Sequence, residues 1–517
     1  MESPSAGDRK SHRPVGGTEL SWCRAVPGGT GITVLAFLLS HPIPLPLLRS
    51  TVHRLQISHP FLRARLPSAS AAATGGPPPH ILISTDPTDV IEIVPSDQLQ
   101  ELAGAADPPP LSLFHFLLEH EMNRNPWAQP AEPVQAFFAT VYELPEPDRS
   151  VLALRLHTGV CDRTAGVAIL KELVHLMSSG GDDLERKEEE VVPAIEDLIR
   201  KEDAWKPFWA RGIDLIGYSV NGLRSTVLRF EDAGSVRRSE VVRLVMDAQE
   251  TRRLLGACDA KGMKLCGAVT AAGLLAAYAS KNLHDSQPET YSVITLIDCR
   301  KYLNPPLESN HFGFYHSAIL NTHTIHGGEG FWEVAGRCHD AYSNAKSNKK
   351  HLSDMGELNF LMCKAIENPH LTQSSSLRTA LISVFEELVV FDSPGAANPP
   401  LTPTPLLPHP TPLPIYHFTL NSFFPPSLSL EFLWPELLTL GFWKPFAAGG
   451  PWWPPAALAG TSPPSLPSPL LPSIFLLLGD ASPELHLPAA ELPALLLSSS
   501  FRPPSPLPSR RPSCGGG

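Results

Sequence analysis

The clearest hydrophobic pattern of the chain lies between Val151 and Met177. It begins with VLALRLH, in which successive side chains alternate between two faces, as in a strand that is buried on at least one side. A short polar turn, residues 157–164, follows, and after it apolar residues recur at helical spacing at Val167 and Val174. This order predicts a strand, a polar turn and an amphipathic helix that packs on a sheet. Polar residues at such a junction lie at a sheet edge that faces a cleft.

Similar patterns predict regular elements over most of the first 390 residues. The segments QAFFATVYEL and VLALRLH are predicted to form a strand pair joined by the turn PEPDRS. Further strands are predicted at 31–40, 80–85, 90–94 and 239–247 and twice within 291–320, and helices at 46–67, 111–123, 268–280 and 329–348. The helix at 268–280 is rich in alanine, which has the highest intrinsic helix propensity.

Two stretches of the chain lack such patterns. Residues 180–203 contain ten acidic and four basic residues, which indicates a solvated segment. Residues 394–517 contain 29 of the 56 prolines and only nine charged residues. Proline at this density removes backbone donors and breaks both helices and strands, so we predict a disordered tail. The alternatives are a polyproline II ligand for SH3 or WW modules and a frameshifted or intron-derived extension.

Composition and charge argue against several classes of protein. The formal charge of −11 and the absence of a basic cluster argue against a nucleic-acid binder. The eight cysteines show no CxxC and no regular spacing, so we expect neither a disulfide framework nor a metal site. The N-terminus lacks the apolar region of a secretory signal, and the apolar runs are shorter than the roughly 18 residues of a membrane span. These features predict a cytoplasmic protein without a membrane span.

The turn after VLALRLH carries a family resemblance. The segment RLHTGVCDRTAG resembles the HHxxxDG motif of the acyltransferase superfamily that includes chloramphenicol acetyltransferase and the condensation domains of peptide synthetases. The related BAHD acyltransferases keep a shorter HxxxD. In this alignment His157 takes the first histidine, Thr158 the second, Asp162 the aspartate and Arg163 the glycine. The second histidine is the catalytic base of the family, so this chain departs from the motif at Thr158.

A second phrase accompanies the first in the order that the family has. The family's aspartate pairs with an arginine from the other half of the fold, in a phrase D.R....PPL....fG. Here this phrase consists of Asp298-Cys299-Arg300, Pro305-Pro306-Leu307 and Phe312-Gly313. The resemblance therefore implies that Asp162 and Arg300 form a structural pair; the alternative is two unrelated charged residues on separate turns. A third phrase, residues 59–66, resembles the start of condensation-type domains, with an ordinary amphipathic helix as its alternative.

The chemistry of acyl transfer limits which of these residues can serve as base. The base must lie within hydrogen-bond reach of the acceptor hydroxyl or amine, and histidine suits this role because its pKa is near neutrality. The hydroxyl of Thr158 is too weak a base and can only donate or accept a hydrogen bond. His157 stands one position earlier, on the other face of the strand, so it can act only if the turn is rearranged. The alternative for His157 is a structural histidine at a strand end.

Other catalytic motifs do not occur in the sequence. There is no GxSxG, HExxH or Walker A sequence, and the glycines from Gly28 to Gly31 lack the lysine of a phosphate-binding loop. The DFGWG phrase of the BAHD enzymes is missing as well. The segment most similar to it, LTLGFWKPF, lacks the aspartate and lies in the proline-rich tail.

The resemblance implies an α/β fold like that of chloramphenicol acetyltransferase, with two lobes, mixed sheets and a central channel. The expected divisions are a disordered N-terminus at 1–12, an N-terminal lobe at 13–180, a charged crossover segment at 181–207, an incomplete C-terminal lobe at 208–390 and the tail at 391–517. The implied function is transfer of an acyl group to the hydroxyl or amine of a small molecule. Acyl-CoA would be a co-substrate, with no tightly bound cofactor. The alternative is a catalytically inactive binding or scaffold protein, which Thr158 and the incomplete C-terminal lobe favour.

Overall fold

The computed structural model describes residues 11–39, 44–67, 79–104, 112–128, 132–146, 149–178, 190–226, 239, 241–245, 248–281, 283–284, 286–368, 379–384, 430–431, 438–441 and 474–477. The strands in these ranges are β1 (Ser11–Pro14), β2 (Ile32–Leu39), β3 (Ala64–Leu66), β4 (His80–Ile83), β5 (Ile91–Val94), β6 (Val134–Gln135), β7 (Phe137–Glu143), β8 (Ser150–His157), β9 (Val242–Val245), β10 (Glu289–Asp298), β11 (His316–Ile325), β12 (Ala380–Val384), β13 (Leu430–Glu431), β14 (Leu438–Gly441) and β15 (Ile474–Leu477). The helices are α1 (Gly17–Ala25), α2 (Leu45–Ser58), α3 (Ser96–Gly104), α4 (Leu113–Asn123), α5 (Arg163–Ser178), α6 (Ile195–Leu198), α7 (Lys201–Ala204), α8 (Phe208–Arg224), α9 (Ala248–Ala260), α10 (Leu265–Ala279), α11 (Phe331–Ser347), α12 (Lys350–Ser353) and α13 (Met355–Glu367).

The first lobe, residues 11–178 together with the short strand β13, is built around a sheet with the strand order β13-β2-β8-β7-β5. Its central strand β8 is buried along its whole length, and its leucine- and valine-rich sequence suits that position. Strand β8 pairs antiparallel with β2, which sets His157 opposite Ile32, and with β7, which sets Leu156 opposite Phe137. Helix α5 and a smaller sheet of order β1-β4-β3-β6 bury apolar side chains in the same core. The polar turn that follows β8 is therefore attached to the buried central strand of the sheet.

The second lobe, residues 208–384 together with the short strands β14 and β15, contains a mixed sheet of order β11-β10-β12-β14-β15-β9. Strand β10 runs antiparallel to β11 and parallel to β12. Helices α10 and α11 pack against each other and cover a second core on this sheet. Their close approach depends on Gly267, because a Cβ atom added there would lie 2.9 Å from the carbonyl oxygen of Ala335.

Most predicted elements are present with ends shifted by a few residues. The strand pair predicted at 135–144 and 151–157 is confirmed as β7 and β8. The segment 46–67, predicted as one helix, instead forms α2, a 3₁₀ turn at Pro60–Arg63 and β3. Proline disfavours a helical conformation in the residue before it, which is why α2 ends at Ser58.

The two ends of the chain differ from the expected boundaries. Ser11 and His12, which the sequence placed in a disordered N-terminus, belong to β1 and pair with β4. The predicted tail at 391–517 lies outside the described residues except for the short strands β13, β14 and β15. Strand β14 pairs antiparallel with β12 and with β15, and β15 runs parallel to β9. Four-residue strands between proline-rich stretches are too short for a periodicity to reveal them.

The two lobes are tied together by α1, which belongs to the first lobe and packs on α13 of the second. The ring centroids of Trp22 and Phe314 lie 5.6 Å apart, and Nη1 of Arg24 lies 2.8 Å from Oε1 of Glu367. These contacts join residues that are more than 290 positions apart in the sequence.

The crossover between the lobes contacts both of them. Its first residues, 181–189, lie outside the described part of the chain, and its remainder carries α6 and α7. Oε1 of Glu196 accepts hydrogen bonds from the backbone N–H and the hydroxyl of Thr18 in the first lobe, both at 2.6 Å. The same hydroxyl accepts a hydrogen bond from Nδ2 of Asn359 in α13, at 2.8 Å. The crossover segment thus belongs to a hydrogen-bond network that links Thr18 of the first lobe to Asn359 of the second lobe.

No single helix within the described ranges has the length and apolar composition of a transmembrane span. Helices α9 and α10 meet that criterion only as a pair, across a bend of 109°.

Candidate functional site

The polar turn after β8 ends in a helix cap. A short 3₁₀ turn, Thr158–Val160, follows the strand, and Asp162 precedes the first residue of α5. Oδ1 of Asp162 accepts a hydrogen bond from the backbone N–H of Ala165 at 2.8 Å, as an N-cap aspartate does. The positive end of the helix dipole adds to the stabilisation of the carboxylate. The turn therefore fixes one carboxylate at the edge of the first lobe.

The structure brings Asp162 and Arg300 together. Nη1 of Arg300 lies 2.9 Å from Oδ2 of Asp162, and Nη2 donates to Oδ1 at 3.1 Å. Both residues are almost completely buried. Oδ2 also accepts a hydrogen bond from the backbone N–H of Tyr315 at 2.7 Å, and the guanidinium lies over the ring of Tyr315. Such bidentate pairing with further backbone donors is what a charge removed from water requires.

The charge of Asp162 is maintained by these partners. Burial alone raises the pKa of a carboxyl group, and burial is the largest single influence on Asp162. The positive charge of Arg300, together with the contact to His316, outweighs it, so the pKa of Asp162 lies well below its ordinary value. Arg300 is held in turn by Asp298, whose Oδ1 lies 3.2 Å from Nη1, and by the carbonyl oxygen of His311, 3.0 Å from Nη2. The site is thus a network of charges anchored on both lobes.

Three further contacts fasten the start of α5 to the second lobe. The backbone N–H of Asp162 donates to the carbonyl of Gly313 at 3.1 Å. Nη1 of Arg163 donates to Oγ of Ser383 in β12, and the hydroxyl of Thr164 donates to Oδ2 of Asp298, each at 2.8 Å. The long side chain of Arg163 thus reaches from the start of α5 in the first lobe to β12 in the second lobe.

The loop that contains Phe312-Gly313 adopts its observed conformation because position 313 is a glycine. Gly313 has a φ of +154°, and a Cβ atom added there would lie 2.6 Å from the ring of Tyr315. Phe312, the residue before it, is buried in the core of the first lobe although it belongs to the second lobe by sequence. A glycine at 313 therefore lets the chain cross between the lobes while Tyr315 keeps its place under Arg300.

His157 is buried and turned away from this network. Its ring lies edge to face with that of Trp127, with centroids 5.2 Å apart. Its Nδ1 accepts a hydrogen bond from the backbone N–H of Gly159 at 3.0 Å, so the neutral ring carries its proton on Nε2. Burial lowers the pKa of His157 to about 3. Neither ring nitrogen offers a free lone pair, and the rearranged turn that a catalytic His157 requires is not the conformation observed.

Thr158, which the sequence resemblance aligns with a catalytic histidine, is half-buried. It makes one contact with the residue that precedes β2 and one with β2 itself. Its hydroxyl lies 2.8 Å from that of Thr33, and its backbone N–H donates to the carbonyl of Gly31 at 3.1 Å. The side chain therefore offers a hydrogen-bonding hydroxyl at this point of the turn.

One member of the site was missed by sequence reasoning. His316, the first residue of β11, is buried with its Nδ1 3.0 Å from Oδ2 of Asp162. The available signal was its position three residues after Gly313, in the phrase that carries Arg300. A histidine at the start of a strand gives no indication of which face it occupies, so this signal alone does not identify the contact.

The fold resembles that of solved acyl-transfer proteins. The trichothecene 15-O-acetyltransferase of Fusarium sporotrichioides matches 72% of this chain and 80% of its own length, with 12% identity and a TM-score of 0.53. The chain has the fold of this acetyltransferase. The first condensation domain of the calcium-dependent antibiotic synthetase matches 74% of the chain and 83% of its own length, with 14% identity and a TM-score of 0.49. The condensation domain of the monacolin K polyketide synthase matches 68% and 76%, with 14% identity and a TM-score of 0.45.

A scan against protein-family models and a search of curated proteins found no match to this chain. At the identities given above, the structural likeness establishes the two-lobed fold and leaves the chemistry to be argued from the residues themselves.

Proposed function

We propose that this protein transfers an acyl group from acyl-CoA to a small acceptor, and that an amine is the preferred acceptor. The observation that carries the proposal is the buried pair of Asp162 and Arg300, which fixes the turn bearing Thr158 at the junction of two lobes. A turn held by so many charged contacts is a rigid platform for orienting reactants. The acetyltransferase that shares the fold gives the class of chemistry.

The preference for an amine follows from the missing base. In acyl transfer the acceptor attacks the thioester carbonyl, the C–S bond breaks, and the acceptor's proton leaves while CoA departs as its thiol. A hydroxyl must lose its proton during the attack, which needs a general base. A neutral amine attacks with its own lone pair and releases its proton afterwards. Thr158 can orient the nucleophile through a hydrogen bond, and His157 cannot take a proton from it because its Nδ1 is occupied.

The same observations favour a second candidate function. With His157 neutral and bonded to Gly159, and with a threonine at position 158, the described turn holds no side chain placed to accept a proton. A protein that has kept the fold and lost turnover would bind an acyl donor or acceptor without reaction. This second function, a binding or scaffold role, makes a different prediction in the same assay.

The deciding experiment measures release of CoA thiol from acetyl-, malonyl- and hydroxycinnamoyl-CoA by the full chain, with matched primary amines and alcohols as acceptors. The acyl product is identified by mass spectrometry. The proposal predicts acceptor-dependent thiol release with amines and a slower or absent reaction with alcohols of the same skeleton.

The control is the Arg300→Met variant, which removes the charge partner of Asp162 and should abolish release together with the ordered turn. Thiol release that does not depend on an acceptor, or that is unchanged in Arg300→Met, contradicts the proposal. Saturable binding of acyl-CoA without any acyl product supports the binding role instead.

A further inference from the structure

Helix α8 presents an apolar surface to solvent at the outside of the second lobe. Its exposed apolar side chains recur at spacings of four, three, four and three residues. They are Trp209, Ile213, Ile216, Val220 and Leu223, and we call them the α8 seam. Each of the five is between 37% and 65% exposed. Two aromatic residues before the seam, Trp205 and Phe208, are exposed as well, at 71% and 86%.

The opposite face of α8 is the one that packs on its own lobe. Asp214 lies 2.5 Å from Nζ of Lys206, the hydroxyl of Tyr218 donates to Asp354, and Nη1 of Arg211 lies 3.0 Å from Oε1 of Glu357. Polar side chains thus fasten the helix to α13 and its neighbours. The usual arrangement, in which a surface helix buries its apolar side and exposes its polar side, is inverted.

We propose that the α8 seam pairs with the α8 seam of a second copy of this chain, in an antiparallel two-helix contact across a two-fold axis. A spacing of alternating fours and threes is the 3.5-residue repeat of a helix that supercoils around another helix. In that repeat Ile213 and Val220 take the a positions. Trp209, Ile216 and Leu223 take the d positions.

The residues beside the seam allow a close helix–helix contact. The e and g positions between Trp209 and Leu223 are occupied by Ala210, Gly212, Gly217 and Ser219, and Arg224 takes the e position at the end of the helix. A Cβ atom added at Gly212 or Gly217 would meet nothing within 4 Å, so these positions are open. Charged residues at the e and g positions set the choice of partner helix. None of the four residues at these positions between Trp209 and Leu223 is charged, so they do not repel an identical helix.

In an antiparallel arrangement across a two-fold axis, the α8 seams of the two copies match each other. With the two-fold axis at Ile216, Trp209 of one copy lies level with Leu223 of the other, and Ile213 lies level with Ser219, one position before Val220. Arg224 then comes next to the ring of Phe208 in the second copy, a cation–π contact at each end of the interface. The dipoles of the two helices also oppose each other, which is the favourable orientation for neighbouring helices.

The size of the surface fits a stable dimer. With aromatic side chains offering roughly 150–250 Å² each, the seam and its two aromatic neighbours expose on the order of 800 Å². A standard protein–protein interface buries about 800 Å² on each partner, and the largest apolar patch of a typical monomer is about 300–600 Å². A membrane surface fits less well, because two of the three cations between positions 206 and 224, Lys206 and Arg211, are paired with carboxylates of the same chain.

The test measures the oligomeric state of the full chain by sedimentation velocity over the low micromolar range. The wild type should form a dimer, and Ile216→Glu should weaken the dimer by about 30-fold or more, as expected for a charge placed at the centre of an interface. Leu255→Glu, a matched substitution at another exposed leucine on α9, should leave the dimer intact. Circular dichroism checks that the variants keep their helices.

A cross-linking variant identifies the contact itself. Ile216→Cys meets its own copy at the two-fold axis, so mild oxidation should give a covalent dimer, whereas Leu255→Cys should not. The seven native cysteines in the described part of the chain are all buried, and the eighth, Cys514, is replaced by serine in both variants so that it does not compete. A monomeric wild type, a dimer that persists in Ile216→Glu, or co-sedimentation of the monomer with anionic phospholipid vesicles that is lost in Ile216→Glu overturns the proposal.

Discussion

The guanidinium of Arg300 contacts both oxygens of the Asp162 carboxylate, at 2.9 and 3.1 Å, although 138 residues separate them in the chain. One partner caps a helix of the first lobe and the other follows a strand of the second. The pair therefore depends on correct docking of the lobes, and its loss is expected to weaken the whole chain and not one element alone.

Replacement of Arg300 should be strongly destabilising. Arg300→Met leaves the buried carboxylate of Asp162 without its counter-charge, which costs about 3–5 kcal/mol of unfolding free energy. Urea denaturation at neutral pH measures the change. Asp162→Asn in the same background should recover part of the loss, because it removes the unpaired charge.

The control for Arg300→Met is Arg337→Met, which breaks the partly exposed ion pair with Glu329. Exposed pairs contribute about 0–1 kcal/mol, so this variant should stay near the wild type. Equal losses of unfolding free energy in the two variants would show that the buried Asp162–Arg300 pair contributes no more to stability than an exposed pair.

Acid should destabilise the protein in part through His157. Its pKa of about 3 in the fold lies below the value of about 6.5 expected for the unfolded chain. Between these values the unfolded chain binds a proton that the folded chain excludes, so the unfolding free energy falls as the pH falls. The contribution is on the order of 1 kcal/mol per pH unit below about pH 6.

The His157→Phe variant isolates this effect. It loses the hydrogen bond from Gly159 and is less stable at neutral pH, but its unfolding free energy should decline less steeply between about pH 6 and pH 5. Asp162 adds no slope in this window: its pKa is lowered, so its stabilisation is lost only below the unfolded value of about 3.9. Parallel pH profiles of wild type and variant would refute the assignment.

A histidine at position 158 should improve transfer to alcohols. Thr158→His supplies a base at the point of the turn that the sequence resemblance aligns with a catalytic histidine, and a general base typically contributes about 10²–10⁴-fold. The gain should appear as the pH rises through about 6.5, where the imidazole becomes neutral. Thr33→Ala in the same chain makes room for the ring, since Thr33 contacts the present hydroxyl. His157→Phe should give no comparable gain, and a gain in both variants would contradict the base assignment.

Two glycine-to-alanine substitutions should change the unfolding free energy in opposite directions. Gly313→Ala forces a methyl group against the ring of Tyr315 at a positive φ, so we expect a loss of about 1–3 kcal/mol. Gly256→Ala, inside α9 with nothing within 4 Å of the added Cβ, should stabilise the protein by about 0.5–1 kcal/mol. Thermal unfolding of both variants checks the pair. A neutral Gly313→Ala would mean that the loop relaxes without cost.

The sequence predicts the centre of the molecule better than its periphery. Helix α5 follows from local periodicity because it buries one consistent set of side chains, and strand β8 follows from its short apolar run, which is buried along its whole length. The juxtaposition of Asp162 and Arg300 was expected from two phrases in the right order. His316 and the interlobe position of Phe312 were not, because both depend on where a loop crosses between lobes. No local pattern encodes that path.

Helix α8 shows a different limit of sequence reasoning. Its apolar repeat is visible in the printed sequence, but a repeat does not tell whether the apolar face points inward or outward. The contacts of Tyr218 with Asp354 and of Arg211 with α13, together with the exposure of the apolar side chains, show that it points outward. Strands β14 and β15 were missed for another reason, since their pairing with β12 and β9 joins segments far apart in the chain.

Noncovalent contacts hold the two lobes together: the hydrogen bonds among Thr18, Glu196 and Asn359, and the packing of α1 on α13. We therefore expect the lobes to stay associated without the peptide segment that connects them. A polypeptide severed between residues 178 and 190 should still purify as a single particle. Two separately encoded fragments that end and begin there should reassemble when they are co-expressed.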